Sequence, residues 1–127
     1  MFKNLPTKRV VIAGCRDYNN YEEAKEYIDF CLSNVRKENE IIILSGCANG
    51  ADAIGERYAK ENGLKIKKYP ANWEKYGRGA GPKRNKEMAE VCDFVICFWD
   101  KKSRGTKSMI NLAKKNKKPV RIKILQK

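Results

Sequence analysis

The stretch IIILSGCANGADAIGERYAKENG, residues 41–63, contains the pattern that decides the fold. Four consecutive apolar residues are followed by a turn rich in glycine and small residues, and then by a segment of helical period that ends at Gly63. An apolar run without alternation is typical of a strand that is buried on both faces, as in a parallel sheet. This stretch therefore predicts one strand–turn–helix unit of an α/β sheet.

The same unit recurs along the whole chain. Strands are predicted at residues 9–13, 41–44, 64–69, 94–98 and 120–125, and helices at residues 21–35, 50–61, 85–91 and 106–115. The third and fifth runs alternate between apolar and polar residues, so we expect them to be edge strands. The pattern predicts a Rossmann-like α/β fold, a doubly wound and mostly parallel five-stranded sheet with helices on both faces. Because no linker or repeat interrupts it, we expect a single domain over residues 1–127.

Composition excludes several classes of function. The chain has 28 Lys and Arg against 15 Asp and Glu and no histidine, which rules out Ser-His-Asp, Cys-His and HExxH sites. Five cysteines without C-x-x-C spacing predict neither a disulfide framework nor a zinc site, and we expect no metal and no cofactor. No apolar run approaches the roughly 20 residues that cross a bilayer, and the start of the chain does not resemble a signal peptide. We therefore expect a cytoplasmic protein with no membrane partner.

Glycine, hydroxyl and carboxylate side chains follow three of the predicted strands. These loops are GCRD at residues 14–17, SGCANGAD at residues 45–52 and WDKKSRGT at residues 99–106. The carboxyl ends of parallel strands meet at one edge, and helix N-termini there attract anions, so the loops predict phosphate binding. None matches G-x-G-x-x-G or the Walker A pattern, which argues against an ordinary dinucleotide dehydrogenase or P-loop NTPase. The alternative is that these residues only turn the chain and cap helices.

Residues 70–85 form a predicted connection that is longer than an idle loop requires. It contains Trp73, Tyr76 and several basic residues, so a base could stack on an aromatic ring while a guanidinium binds a phosphate. The alternative is that the two aromatic side chains only attach a lid to the sheet.

Four segments carry a family resemblance: AGCRDY (13–18), SGCANGADAIGERYA (45–59), PANWEKYGRGAGPKRNKEMAE (70–90) and FWDKKSRGTKSMI (98–110). Together they resemble the YspA-like, cpYpsA-related branch of the SLOG superfamily, a Rossmann-like group that includes the lonely-guy enzymes and Smf/DprA. The resemblance implies a domain that senses or processes a nucleotide-derived ligand. Lonely-guy enzymes are similar in the turn at Gly105, but the glutamate that follows in those enzymes is not matched here. Whether the chain is an enzyme is therefore left open.

From these loops and the resemblance we expect a ligand site at the carboxyl edge of the sheet, with Asp52 and Asp17 as candidate catalytic acids or bases. Asp52 begins the second predicted helix, where the helix dipole is expected to keep its carboxylate ionised. The expected ligand-binding residues are Gly14, Arg16, Asp17, Ser45, Gly46, Gly50, Asp52, Trp73, Gly81, Arg84, Asn85, Asp100, Ser103, Gly105 and Thr106.

The primary expectation is binding of a phosphorylated nucleoside or nucleotide-derived small molecule. One alternative is hydrolysis of an N-glycosidic or phosphoester bond in such a ligand, and a second is binding of single-stranded nucleic acid. Residues 100–127 carry 11 Lys and Arg and one Asp, but residues 101–127 contain no aromatic side chain on which bases could stack. We therefore expect nucleic acid to bind only weakly. Related domains suggest a homodimer, with Tyr27, Phe30 and Phe94 either in the core or at the interface.

Overall fold

The computed structural model describes residues 5–126, and these form one sheet of five parallel strands. The strands are β1 (Thr7–Gly14), β2 (Glu40–Ser45), β3 (Lys65–Lys68), β4 (Phe94–Trp99) and β5 (Val120–Ile124), in the order β3-β2-β1-β4-β5. All four pairings between neighbouring strands are parallel. The predicted α/β class is confirmed. Residues 1–4 and 127 of the expected domain lie outside the described part.

Two layers of helices cover the sheet. The helices are α1 (Tyr21–Leu32), α2 (Val35–Glu38), α3 (Ala51–Glu61), α4 (Trp73–Tyr76), α5 (Ala80–Val91) and α6 (Arg104–Lys115), with a 3-10 turn at Gly77–Gly79. Helices α1 and α3 bury their apolar stripes on one face, and α5 and α6 bury theirs on the other. Within residues 5–126, no helix is long and apolar enough to span a bilayer.

Burial follows the predicted division between central and edge strands. Val10 and Val11 are fully buried on opposite faces of β1, whereas the edge strand β3 alternates one half-buried isoleucine with exposed lysines. Charged residues on exposed edges discourage pairing with another chain. Of the three aromatic side chains left open between core and interface, Tyr27 and Phe94 pack against the core and Phe30 is 73% exposed.

Helix α5 corrects the prediction for residues 70–91. It begins at Ala80 rather than at residue 85, and α4 and the 3-10 turn occupy much of the predicted loop. Pro82 lies in the first turn of α5, where a backbone N–H has no partner within the helix, so proline is tolerated there. The glycines and the proline, which suggest a loop, are thus compatible with a helix start.

Helix α1 is also shorter than predicted. It ends at Leu32 instead of residue 35, and Val35 begins the separate helix α2. The Ser33 hydroxyl donates to the carbonyl oxygen of Phe30 at 3.3 Å. Serine and asparagine side chains compete for backbone hydrogen bonds in this way, which favours a break after Leu32.

The strand order reverses between β1 and β4. From β1 the chain proceeds to β2 and β3 on one side, and it then crosses to β4 and β5 on the other. The loops after β1 and β4 consequently diverge to opposite faces and leave a crevice between them, where ligands of open α/β sheets bind.

Candidate functional site

A cavity of about 350 Å³ lies at the carboxyl ends of β1 and β4. We call it the switch-point cavity. Its walls are the loops that follow these strands, the turn before α3, and α5. Ten of the fifteen predicted ligand-binding residues line it: Gly14, Arg16, Asp17, Asp52, Arg84, Asn85, Asp100, Ser103, Gly105 and Thr106.

A second cavity of about 280 Å³ adjoins the first on the β2 side. Residues 46–49 after β2, Pro70, Ala71 and Trp73 line it, so we call it the Trp73 cavity. Arg16, Ala48 and Arg84 line both cavities and form their common wall.

Three predicted residues line neither cavity. Ser45 is buried, and its hydroxyl donates to Glu56 Oε2 at 2.6 Å and accepts from the Cys47 N–H at 3.1 Å. Gly50 has φ +72° at the N-cap of α3, and a Cβ there would lie 2.3 Å from the Cys15 carbonyl oxygen. Gly81 is buried at the edge of the Trp73 ring, where a Cβ would lie 3.3 Å from the ring carbon Cη2. These residues shape the turns and support the aromatic ring.

Arg84 is fixed in place although its guanidinium reaches the cavities. It is only 9% exposed; Nε donates to Asn85 Oδ1 at 2.8 Å, and Nη1 donates to the carbonyl oxygen of Gly46. Within residues 5–126, Nη2 has no hydrogen-bond partner, and because no fully buried side-chain nitrogen or oxygen there lacks one, Nη2 is accessible. Burial lowers the pKa of Arg84, Asp52 opposes that effect, and Arg16 adds to it by repulsion. An arginine nevertheless stays charged in proteins.

Asp52 lies in the first turn of α3 and is 6% exposed. Its Oδ2 accepts a hydrogen bond from the Ala48 N–H at 3.1 Å, which holds the turn before the helix. Burial raises the pKa of this carboxyl, while the Ala48 N–H, Arg84 and Arg16 act in the opposite direction. The net direction is opposite to the effect expected from the helix dipole alone, because desolvation is the largest cause.

The loop before α6 is held by its own side chains. Asp100 Oδ1 accepts from the backbone N–H groups of Lys102 and Ser103, both at 2.8 Å. Ser103 caps α6 by accepting from the Thr106 N–H at 3.3 Å. Helix capping and turn formation therefore explain part of the pattern of hydroxyl and carboxylate residues in this loop. Gly105 is different, because a Cβ at this position would meet nothing within 4 Å.

The sequence prediction missed several residues that line the cavities. In the switch-point cavity they are Ala13, Cys15, Ala48 and Met109, and in the Trp73 cavity they are Cys47, Ala48, Asn49, Pro70 and Ala71. Most are small or apolar, so their chemistry carries no signal, although their positions directly after strands do. Met109 also belongs to the buried apolar stripe of α6, so the sequence pattern indicates a core residue at this position. Within residues 5–126, no group of three or more Cys, Asp or Glu side chains is arranged to hold a metal ion.

Comparison with known proteins gives a family match over just over half of the chain. The model of the YspA, cpYpsA-related SLOG family matches residues 8–76, from β1 to the end of α4. Gene 61 protein of Mycobacterium phage D29 is 29% identical over 119 residues, which cover 89% of this chain and 94% of the phage protein. The family suggested by the sequence motifs is confirmed.

Two solved structures share the fold. DNA processing protein A (DprA) from Streptococcus pneumoniae superposes with a TM-score of 0.69 at 20% identity, over 93% of this chain and 50% of that protein. DNA processing protein A from Helicobacter pylori, described for its single-stranded DNA binding mode, gives a TM-score of 0.64 at 22% identity, over 96% of this chain and 67% of that protein. This chain thus spans about half the length of the Streptococcus protein, and the likeness concerns the fold.

Proposed function

Because the chain belongs to the YspA, cpYpsA-related SLOG family, we propose that it binds a phosphorylated nucleoside or another nucleotide-derived ligand in the switch-point cavity. The position of the cavity supports this, since it lies where the strand order reverses and where doubly wound sheets bind nucleotides.

The observation that carries the proposal is the pair of guanidinium groups on the common wall. Within the described residues, Arg16 has no hydrogen bond or ion pair, and Arg84 has an unpaired Nη2. A guanidinium presents planar donors that match phosphate oxygens in two-pronged contacts. The carboxylates of Asp17 and Asp100 also line the cavity and offer acceptors to ribose hydroxyls. The phosphate is therefore assigned to the arginines and the sugar to the carboxylates.

The test is a thermal-shift screen of nucleoside mono-, di- and triphosphates against the wild type, Arg16→Ala and Arg78→Ala. Arg78 is a matched control, because it is exposed, lies in the nearby 3-10 turn and lines neither cavity. At least one nucleotide should raise the Tm of the wild type and of Arg78→Ala, and should raise that of Arg16→Ala much less. Equal shifts in all three proteins, or no shift with any nucleotide, would contradict the proposal.

A second candidate is hydrolysis of an N-glycosidic or phosphoester bond in the bound ligand. The specific observation in its favour is that Asp52, a buried carboxyl whose pKa is raised, lines the cavity. A carboxyl that keeps its proton to higher pH is suited to protonate a leaving group. Chromatography of nucleotides incubated with the wild type, Asp52→Asn and Asp17→Asn tests this. Turnover by the wild type that Asp52→Asn abolishes would support it, and turnover unchanged by both substitutions would exclude these groups.

A third candidate is binding of single-stranded nucleic acid, which the fold likeness to the DprA proteins supports. Fluorescence anisotropy with labelled oligonucleotides over a salt series measures it, because each phosphate contact steepens the salt dependence.

A homodimer is also proposed, with the exposed Phe30 as a candidate interface residue. Light scattering of the wild type and Phe30→Ser tests this. The proposal predicts that the wild type is a dimer and that Phe30→Ser weakens dimerisation.

A further inference from the structure

We propose that the two adjoining cavities form one bipartite site for a nucleoside–phosphate–nucleoside step, with the linking phosphate between Arg16 and Arg84 and the second base on Trp73. The inference rests on the proposed function and extends it by specifying the class of ligand. A free dinucleotide and two linked residues of a nucleic-acid strand share this chemistry.

The two cavities share a wall. Arg16 and Arg84 line both cavities, so a group bound between them is in contact with both spaces. Each guanidinium has capacity for an external acceptor, since Arg16 makes no hydrogen bond within the described residues and Nη2 of Arg84 makes none. Their charges repel each other, which contributes to the lowered pKa of Arg84. An anion bound between the two guanidinium groups would offset that repulsion. A phosphate that bridges two nucleosides is such an anion.

The two cavities differ in the chemistry of the residues that line them. Asp17, Asp52 and Asp100 line the switch-point cavity, which suits it to the hydroxyls of a sugar. Within residues 5–126, no carboxylate lines the Trp73 cavity, whose residues are neutral apart from the two arginines of the common wall. The Asn49 side chain adds an amide there, which can both donate to and accept from the edge of a base.

Trp73 provides an aromatic ring to the second cavity. Its side chain begins α4, is 51% exposed and lines the second cavity. Gly81 lies against one edge of the ring, and a Cβ at that position would be only 3.3 Å from it. Gly81 therefore packs against an edge of the indole, while about half of the side chain remains accessible. An exposed, supported aromatic ring beside a phosphate site is the arrangement on which bases stack.

Together these features define the ligand by its length. A mononucleotide placed with its phosphate at the common wall leaves one of the two cavities empty, whichever way it points. Two nucleosides joined through one or two phosphates occupy both.

Isothermal titration compares four classes of probe for each of the common bases. The probes are the nucleoside monophosphate, the pyrophosphate-linked dimer, the phosphodiester-linked dimer and an octamer strand. They are titrated into the wild type, Trp73→Ala and Tyr76→Ala. Tyr76 is a matched control, since it is a partly exposed aromatic residue of the same helix that does not line the Trp73 cavity.

For at least one base, a dimer should bind the wild type about tenfold or more tightly than the monophosphate does, as one stacked base is worth that much. Trp73→Ala should remove this gain, so that the dimer and the monophosphate bind the variant with similar affinity. Tyr76→Ala should preserve both affinities. Preference for the pyrophosphate-linked dimer identifies a free dinucleotide, whereas preference for the phosphodiester dimer and the octamer identifies a strand.

Three outcomes contradict the proposal in distinguishable ways. Monophosphates that bind as tightly as every dimer overturn the second subsite and leave the proposed function intact. Binding of the octamer without any gain from dimers overturns it as well, because the strand is then held elsewhere. Absence of binding by every probe overturns the proposed function itself. Circular dichroism melting curves of both variants establish that each remains folded.

Discussion

The guanidinium of Arg84, on α5, donates a hydrogen bond to the backbone carbonyl oxygen of Gly46, directly after β2. This contact joins residues 38 positions apart and fixes Arg84 at the common wall of the two cavities. Arg16, on the same wall, is exposed. The two arginines therefore share a position in the site but differ in what holds them.

This difference predicts that substitutions of the two arginines have unequal effects on stability but similar effects on binding. Arg84→Gln should destabilise the fold by about 2 kcal/mol, because it removes charge-assisted hydrogen bonds and leaves a carbonyl unpaired. Arg16→Gln should change stability by less than about 0.5 kcal/mol, as expected for an exposed side chain. Both should weaken nucleotide binding about tenfold or more. Urea unfolding and titration calorimetry measure the two effects. A destabilised Arg16→Gln would show that its side chain has a structural partner.

Asp52 predicts a dependence of stability on pH. Burial raises the pKa of this carboxyl above its ordinary value of 3.8, so the folded protein keeps a proton that the unfolded chain has lost. Stability therefore falls as pH rises through the window between the two values. Asparagine does not titrate, so Asp52→Asn lacks this loss, and its stability relative to the wild type should increase as pH rises. Urea midpoints of both proteins from acidic to neutral pH measure this. A variant that loses ground as pH rises would mean that Arg84 and Ala48 stabilise the ionised carboxylate after all.

Gly105→Ala should stabilise the protein and weaken its binding. A Cβ at this position meets no protein atom within 4 Å, and Gly105 lies inside α6, where alanine is the better helix former by about 1 kcal/mol. Gly105 also lines the switch-point cavity, where a ligand would approach the backbone, so an added methyl group should hinder the ligand. A higher Tm with reduced nucleotide affinity is expected. A higher Tm with unchanged affinity would place the ligand away from this turn.

Gly50→Ala and Gly63→Ala form a matched pair of stability tests. Both glycines have positive φ, +72° and +65°, which disfavours alanine at either position, and the ψ of −124° at Gly50 lies outside the left-handed helical region that other residues can adopt. At Gly50 the new Cβ would also lie 2.3 Å from the Cys15 carbonyl oxygen, whereas at Gly63 it meets nothing within 4 Å. Gly50→Ala should therefore cost clearly more stability in urea unfolding. Equal losses would show that the Cys15–Arg16 backbone can move aside.

The basic residues in and beside α6 should contribute to binding according to the end of the helix at which they lie. Arg104 begins α6 and Lys115 ends it, and its twelve residues span about 18 Å, which is beyond the screening length in physiological salt. Only the first end borders the switch-point cavity. Replacing Lys101, Lys102 and Arg104 with Gln should weaken binding of an octamer strand and flatten its salt dependence, since fewer counterions are released. The matched control replaces Lys114, Lys115 and Lys117, and it should leave strand affinity in about 0.15 M salt unchanged.

Lys118 is omitted from this control because its ammonium group donates to the carbonyl oxygen of Cys92 at 2.6 Å and so caps α5. If the control set weakened strand binding as much as the first set, the strand would run along the length of α6 rather than into the cavity.

Local patterns in the sequence were sufficient for the five strands, the four long helices and the fold class, but not for the short helices α2 and α4. Apolar runs and helical stripes depend on neighbours a few residues away, which is why all five strands and the two edge positions were predicted correctly. The position of the candidate site could also be predicted, since parallel strands bring the loops at their carboxyl ends to one edge. The start of α5 was missed because glycine and proline are ambiguous between a loop and a first helical turn.

Only the tertiary structure decided which of the predicted residues face a cavity. The Ser45 hydroxyl donates to Glu56 on α3, which lies 11 positions away, and Arg84 donates to the carbonyl oxygen of Gly46, 38 positions away. The two cavities exist because β1 pairs with β4 on one side and β2 on the other, which places loops from separate parts of the chain side by side. Such contacts depend on how helices pack across the sheet, and local periodicity carries no information about that packing. The sequence by itself therefore determined the fold and the edge of the sheet where the candidate site lies, and the packing decided the shape of that site.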